Sequence, residues 1–249
     1  MAVESVLLLL AAYFCTSAFS AALGMGGGMM ITAVLATMLP IHAVIPVQSA
    51  MLFFNTGYRL WLYRRHAVWG VAWPFLVGLA VGSTLGAVVY TQLPVAWLEL
   101  AVGLAMLLTT WWPKRQHPSA LFQAPAVRVG VGAVHGFLSS VLGIGGLLQA
   151  IVARAGLARQ AFIGTFSLLM WGSNIFRGIG LWWGGASITP YILLILCAIP
   201  IGMLGAHAGK RFLDGLNERY FRLLLKSFMT ITGALMLWRA ATTWGLSSF

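Results

Sequence analysis

Apolar positions run on for longer than any water-facing element allows. From Ser5 to Tyr58 the chain has no Asp, Glu, Lys or Arg over 54 residues, and the runs are apolar on all sides rather than alternating. A helix needs about 20 residues to cross roughly 30 Å of hydrocarbon, so this stretch holds more than one crossing. Gly24, Gly26, Gly27 and Gly28 break it, and Pro40 breaks it again. The pattern predicts a helix over about 3–23, a glycine break, a short helix over about 29–39, and spans over about 43–62, 68–90 and 95–112. After a basic, proline-containing linker it resumes. A helix is expected over about 127–142, a second glycine break at Gly143, Gly145 and Gly146, a short piece to about 153, and spans over about 160–182, 188–208 and 220–239. A β-barrel is disfavoured because its strands alternate apolar and polar positions.

The two halves repeat one another. Leu23-Gly24-Met25-Gly26-Gly27 matches Leu142-Gly143-Ile144-Gly145-Gly146. At nearly the same offset Ser49 matches Ser167, Arg59 matches Arg177, and Leu85-Gly86-Ala87 matches Leu204-Gly205-Ala206. Glycine enrichment of membrane helices would not preserve the spacing of four separate features. The chain thus divides into a first repeat, 1–112, a basic cytoplasmic linker, 113–126, and a second repeat, 127–249.

Composition agrees: 60% of the 249 residues are hydrophobic and 8% charged, against about 25% charged in soluble chains. The net charge of +11 would suggest nucleic acid in a soluble protein. Here its placement reads as topology instead. Arg64, Arg65, Lys114, Arg115, Arg128, Arg154, Arg159, Lys210, Arg211, Arg219, Arg222 and Lys226 are 12 of the 15 basic residues and can all be cytoplasmic together. The loops near His42, Gln92 and Gly184, without Lys or Arg, then lie outside. Each glycine-broken segment must leave and return on one side as a hairpin, both termini face outside, and the repeats have inverted topology, the architecture of many secondary transporters. Glu4 and the missing basic residues ahead of the first apolar run argue against a signal peptide, so residues 1–23 stay in the fold. Cys15 and Cys197 lie inside apolar runs and read as packing residues.

Irregular backbone at membrane depth is tolerated only where it is buried in protein or lines a wet cavity. The breaks are therefore expected to face a pathway, with the N-termini of the short helices offering free N–H groups to an anion. Close helix packing is the alternative use of such glycines. Among the charged residues within spans, Arg59, Arg177 and Glu99 are functional candidates. Arg59 reads as near the cytoplasmic interface, where snorkelling accounts for it, whereas Arg177 approaches the outer interface against the orientation bias. Gln48, Ser49, Asn55 and Thr56 share a helix with Arg59, as Thr165, Ser167, Ser173 and Asn174 do with Arg177. Thr56 and Asn174 each precede an arginine by three residues and share its face. Glu99 either meets water or pairs with an arginine, or couples transport to protons. His135 is one turn before Ser139. That pair invites an intramembrane hydrolase, although proximity in sequence shows neither a hydrogen-bonded base nor an oxyanion site. No metal-ligand spacing or nucleotide-phosphate loop is present.

On these motifs, LGMGGG at 23–28 and LGIGGL at 142–147, each opening a half, the chain resembles the TauE/SafE sulfite exporter family over nearly its whole length. The resemblance implies a transporter of sulfite, sulfonates or related small organic anions in a prokaryotic inner membrane. The second motif departs from the pattern, with Leu147 where a third glycine is usual and with His135 and Ser139 on the entering helix. The expected substrate-binding set is Gly24, Gly26, Gly27, Gly28, Gly143, Gly145, Gly146, Gln48, Ser49, Arg59, His135, Ser139, Ser167, Asn174 and Arg177. The expected partners are a small anion, the lipid bilayer and a coupling ion, proton or sodium. Nucleic acid, metal and cofactor are not expected, and an anion channel of the same fold is the alternative to a carrier.

Overall fold

The computed structural model describes residues 3–23, 27–111, 124–143, 148, 152, 157–212 and 218–247. Among them it is all helical: α1 (Val3–Leu23), α2 (Gly27–Met38), α3 (Ile41–Tyr63), α4 (Trp69–Gln92), α5 (Val95–Trp111), α6 (Pro125–Leu142), α7 (Arg159–Trp183), α8 (Ile192–Phe212) and α9 (Glu218–Ser247). Short 3-10 turns at Arg64–His66 and Thr189–Tyr191 lead into α4 and α8. The predicted elements agree to within a few residues at most ends. The exception is α9, which runs eight residues past the expected stop at Arg239. That arginine turns inward, its Nη1 donating to Ala36 O at 3.1 Å, so it does not end the span. Gly24, Gly26, Gly145, Gly146 and most of the predicted short piece to 153 lie outside the described residues.

Among the described residues four segments are long and apolar enough to cross a membrane: Glu4–Ala21, Trp69–Gln92, Pro125–Leu142 and Thr189–Gly209. With 23 and 25 residues, α3 and α7 are as long, but they carry the polar residues and pack against each other. Around them α1 lies on α8, α6 on α4 and α5 on α9. Exchanging the corresponding helices of the two halves leaves this list of pairs unchanged.

The α4–α6 contact is backbone to backbone. A methyl group on Gly78 would come within 1.9 Å of Val129 O, one on Gly82 within 1.9 Å of Ala133 O, and one on Gly86 within 2.5 Å of Phe137 O. These glycines recur every four residues, so they form one face of α4. Gly132 and Gly136 return the contact from α6, against Phe75 O and Ser83 N. The α1–α8 pair does the same, Gly205 lying on Phe14 O and Gly209 on Ala18 O. Small residues let helices approach where lipid supplies no hydrophobic drive for association. Elsewhere on α4, Trp69, Trp73, Val77, Val81, Leu85 and Val89 are exposed at the same interval, an apolar stripe suited to lipid. Cys15 and Cys197 are free and exposed; contrary to expectation they do not fill the core, because their helix faces point outward.

Candidate functional site

Gly28 and Gly143, at the edges of the two glycine breaks, come together through Thr32. Helix α6 ends at Gly143, whose φ of +69° and ψ of 17° are left-handed and whose N–H caps the helix on Ser139 O. A Cβ there would strain the backbone and collide with Thr32 Cγ2 at 2.7 Å. Thr32, on α2 just after the first break, donates to Gly28 O at 2.8 Å and to Gly143 O at 3.1 Å. Gln48 of α3 reaches the same place, its Nε2 donating to Gly28 O at 2.9 Å and to Thr32 Oγ1. Thr32 was not among the sequence candidates; a threonine in an apolar helix gives no signal beyond its position four residues after Gly28.

Arg59 and Arg177 are 2% and 5% exposed. Arg59 therefore does not snorkel: neighbouring helices supply its acceptors inside the protein. Its Nε donates to Ser167 Oγ at 2.7 Å, and its Nη1 donates to Ser20 Oγ at 2.7 Å and Ser20 O at 3.0 Å. Two further rungs tie α1 to α3. Asn55 Nδ2 donates to Ser17 Oγ at 2.9 Å and to Gly202 O of α8 at 3.0 Å, and Tyr13 Oη donates to Met51 O at 2.9 Å.

Arg177 makes the corresponding contacts in the second half. Its Nη2 donates to Ser139 Oγ at 3.0 Å, its Nε to Ser140 Oγ at 3.2 Å, and its Nη1 to Asn174 Oδ1 at 3.5 Å. Ser140 passes the chain on to Ser83 O at 3.0 Å. Ser20 stands three residues before Leu23 and Ser139 three before Leu142, so each arginine grips the matching serine beside a glycine break. Ser20 was missed in the sequence, yet that shared place is the signal that could have found it. Among the described residues no carboxylate pairs with either guanidinium. Glu99 lies elsewhere, between α5 and α9, where it accepts from Thr243 Oγ1 at 3.2 Å.

Ser49 and Ser167 are both buried. Thr56 bonds its own helix at Leu52 O rather than Arg59. His135 and Ser139 share a face of α6 but do not bond each other: His135 Nδ1 accepts Leu148 N–H at 3.3 Å, and Ser139 Oγ donates to Gly136 O at 3.2 Å. A nucleophile and its base are not assembled by these bonds. No group of three or more His, Cys, Asp or Glu that could hold a metal occurs among the described residues.

Such a site can hold an anion. Two buried guanidiniums have their N–H groups occupied largely by neutral oxygens, which satisfy hydrogen bonds without cancelling charge. Comparison with curated proteins and with solved structures gives no match. The sequence model described as Sulfite exporter TauE/SafE matches residues 9–236. With that match covering both glycine breaks and both arginine sites, the chain belongs to the TauE/SafE sulfite exporter family, a family of membrane transporters.

Proposed function

We propose that the protein is a secondary transporter that exports a small anion, sulfite or an organosulfonate, across a prokaryotic inner membrane by alternating access. In this reading repeats 1–112 and 127–249 are inverted about the linker 113–126, and the substrate sits between the two glycine breaks. One observation carries it: two arginines without an acidic partner among the described residues are buried at matching places, each tied to the serine that precedes a break. An isolated cation in a low-dielectric interior is costly and is retained where something neutralises it. A planar guanidinium suits a sulfonate or sulfite, whose oxygens can take two N–H groups at once. The exchange symmetry of the helix pairs supports the repeat. Glu99, a buried carboxylate held apart from the arginines, is the candidate for proton coupling.

The test is flux from proteoliposomes loaded with sulfite, an organosulfonate or a carboxylate control. Accumulation against a gradient is expected for the two sulfur anions. Dissipation without accumulation would make the protein a channel, and absence of any anion flux would remove the reading.

A further inference from the structure

Among the described residues two buried polar atoms have no hydrogen-bond partner: Gln48 Oε1 and His135 Nε2. Both side chains are 1% exposed. Leaving such an atom unpaired costs free energy, so each one in a folded protein calls for an explanation. Their chemistry is opposite. Gln48 spends its amide N–H groups on Gly28 O and Thr32 Oγ1, which leaves its carbonyl oxygen as an acceptor. His135 Nδ1 accepts Leu148 N–H, so the proton of the neutral ring is on Nε2, a donor.

The two lie on either side of Gly143, Gln48 from the first break and His135 from the second. Gln48 reaches that glycine through Thr32, which bonds Gly143 O, and His135 holds Leu148 just beyond it. His135 is one turn before Ser139, which takes Arg177 Nη2, so the orphan donor is on the helix face gripped by a guanidinium. Gln48 is eleven residues before Arg59 on α3, about three turns and hence the same face. A donor beside a cation suits an oxyanion; an acceptor at that site is of no use to an anion that has only oxygens lacking protons.

We infer that the site between Gln48 and His135, bounded by Gly143 and Leu148, selects an oxyanion carrying its own hydrogen-bond donor. His135 Nε2–H donates to an anion oxygen and Gln48 Oε1 accepts from the substrate's O–H, as hydrogensulfite or a hydroxylated sulfonate would provide. The inference rests on the anion-transporter reading and narrows it from sulfur anions in general to those with a hydroxyl.

The probes are 2-hydroxyethanesulfonate and 1-propanesulfonate, which differ by a hydroxyl in place of a methyl, titrated calorimetrically into the purified full chain. The hydroxylated anion is expected to bind at least about ten-fold tighter, because the alkyl analogue leaves Gln48 Oε1 unpaired. Gln48→Leu should weaken the hydroxylated anion alone and bring the two to within about two-fold. His135→Leu should weaken both by a similar factor and preserve their ratio. Equal affinity in the unmodified protein, as when a buried water fills the gap, overturns the inference whatever the variants do. So does a Gln48→Leu variant that weakens both anions equally, which would make Gln48 only a tie between Gly28 and Thr32. If sulfite and both sulfonates fail to bind, the anion reading falls with it.

Discussion

The surroundings of Arg59 and of Arg177 use the same residue types to different ends. Arg59 is braced: its three bonds are 2.7–3.0 Å long, one goes to a backbone carbonyl near the end of α1, and one crosses to Ser167 in the other half. Arg177 is held by 3.0–3.5 Å bonds to three side-chain oxygens, all from its own half. Side-chain acceptors can rotate away and a helix-end carbonyl cannot, so Arg177 can trade partners for a ligand more readily. The helices before the breaks differ accordingly. Ten and six residues before Leu23 stand Tyr13 and Ser17, whose hydroxyls tie α1 to α3; at the same places before Leu142 are Gly132 and Gly136, which press α6 onto α4. Both helices share a backbone seam with a partner, and α1 alone adds hydroxyl rungs at the places where α6 has glycine.

The largest effect is expected where both cations are lost together. Arg59→Gln with Arg177→Gln should lower sulfite affinity about a hundred-fold or more if the two contributions add, and a double variant that binds like the unmodified protein would remove both from the site. The single variants then separate the cation that also braces the fold from the one that chiefly binds. Arg59→Gln should lower stability in detergent by about 2 kcal/mol, the scale of a charged hydrogen bond, read as a fall in melting temperature. Equal melting of Arg59→Gln and Arg177→Gln would erase the contrast.

Arg177→Gln should instead weaken anion binding about ten-fold with little change in melting. Arg177→Lys is expected to fall between, keeping the charge and losing the planar pair of donors. The smallest effects belong to the serines. Ser20→Ala should cost about 1 kcal/mol of stability and Ser139→Ala should show in anion affinity rather than in melting; the reverse pattern would mean that the roles are exchanged.

How much of this could be read along the chain follows from what each residue announces. Charged residues and glycine clusters stand out in apolar runs, so the breaks, Arg59, Arg177 and the helix order were legible. Rise per residue gives depth, not direction, which is why Arg59 reads as snorkelling: the acceptors that turn it inward, Ser20 and Ser167, are on other helices. A lone hydroxyl in a membrane helix has an ordinary use as a local helix bond, so Ser20, Ser17 and Thr32 are silent until their partners are known. His135 and Ser139 share a face of α6, but each has its partner elsewhere. The contact of the two breaks through Thr32 joins residues 111 positions apart, beyond the reach of any local spacing.

The glycine ladders constrain how such a molecule can move. The α4–α6 pair takes one helix from each half, and so does the α1–α8 pair. Pulling the halves apart as two rigid blocks would open both backbone seams at once, at Gly82 on Ala133 and at Gly209 on Ala18, where close-packed atoms lose contact over the smallest separation. A motion that keeps both seams closed would therefore carry the crossed pairs, each as a two-helix beam, and would bend between the beams, along the polar α3–α7 contact that Arg59 bridges to Ser167. Sequence halves and mechanical halves are not the same objects in this fold.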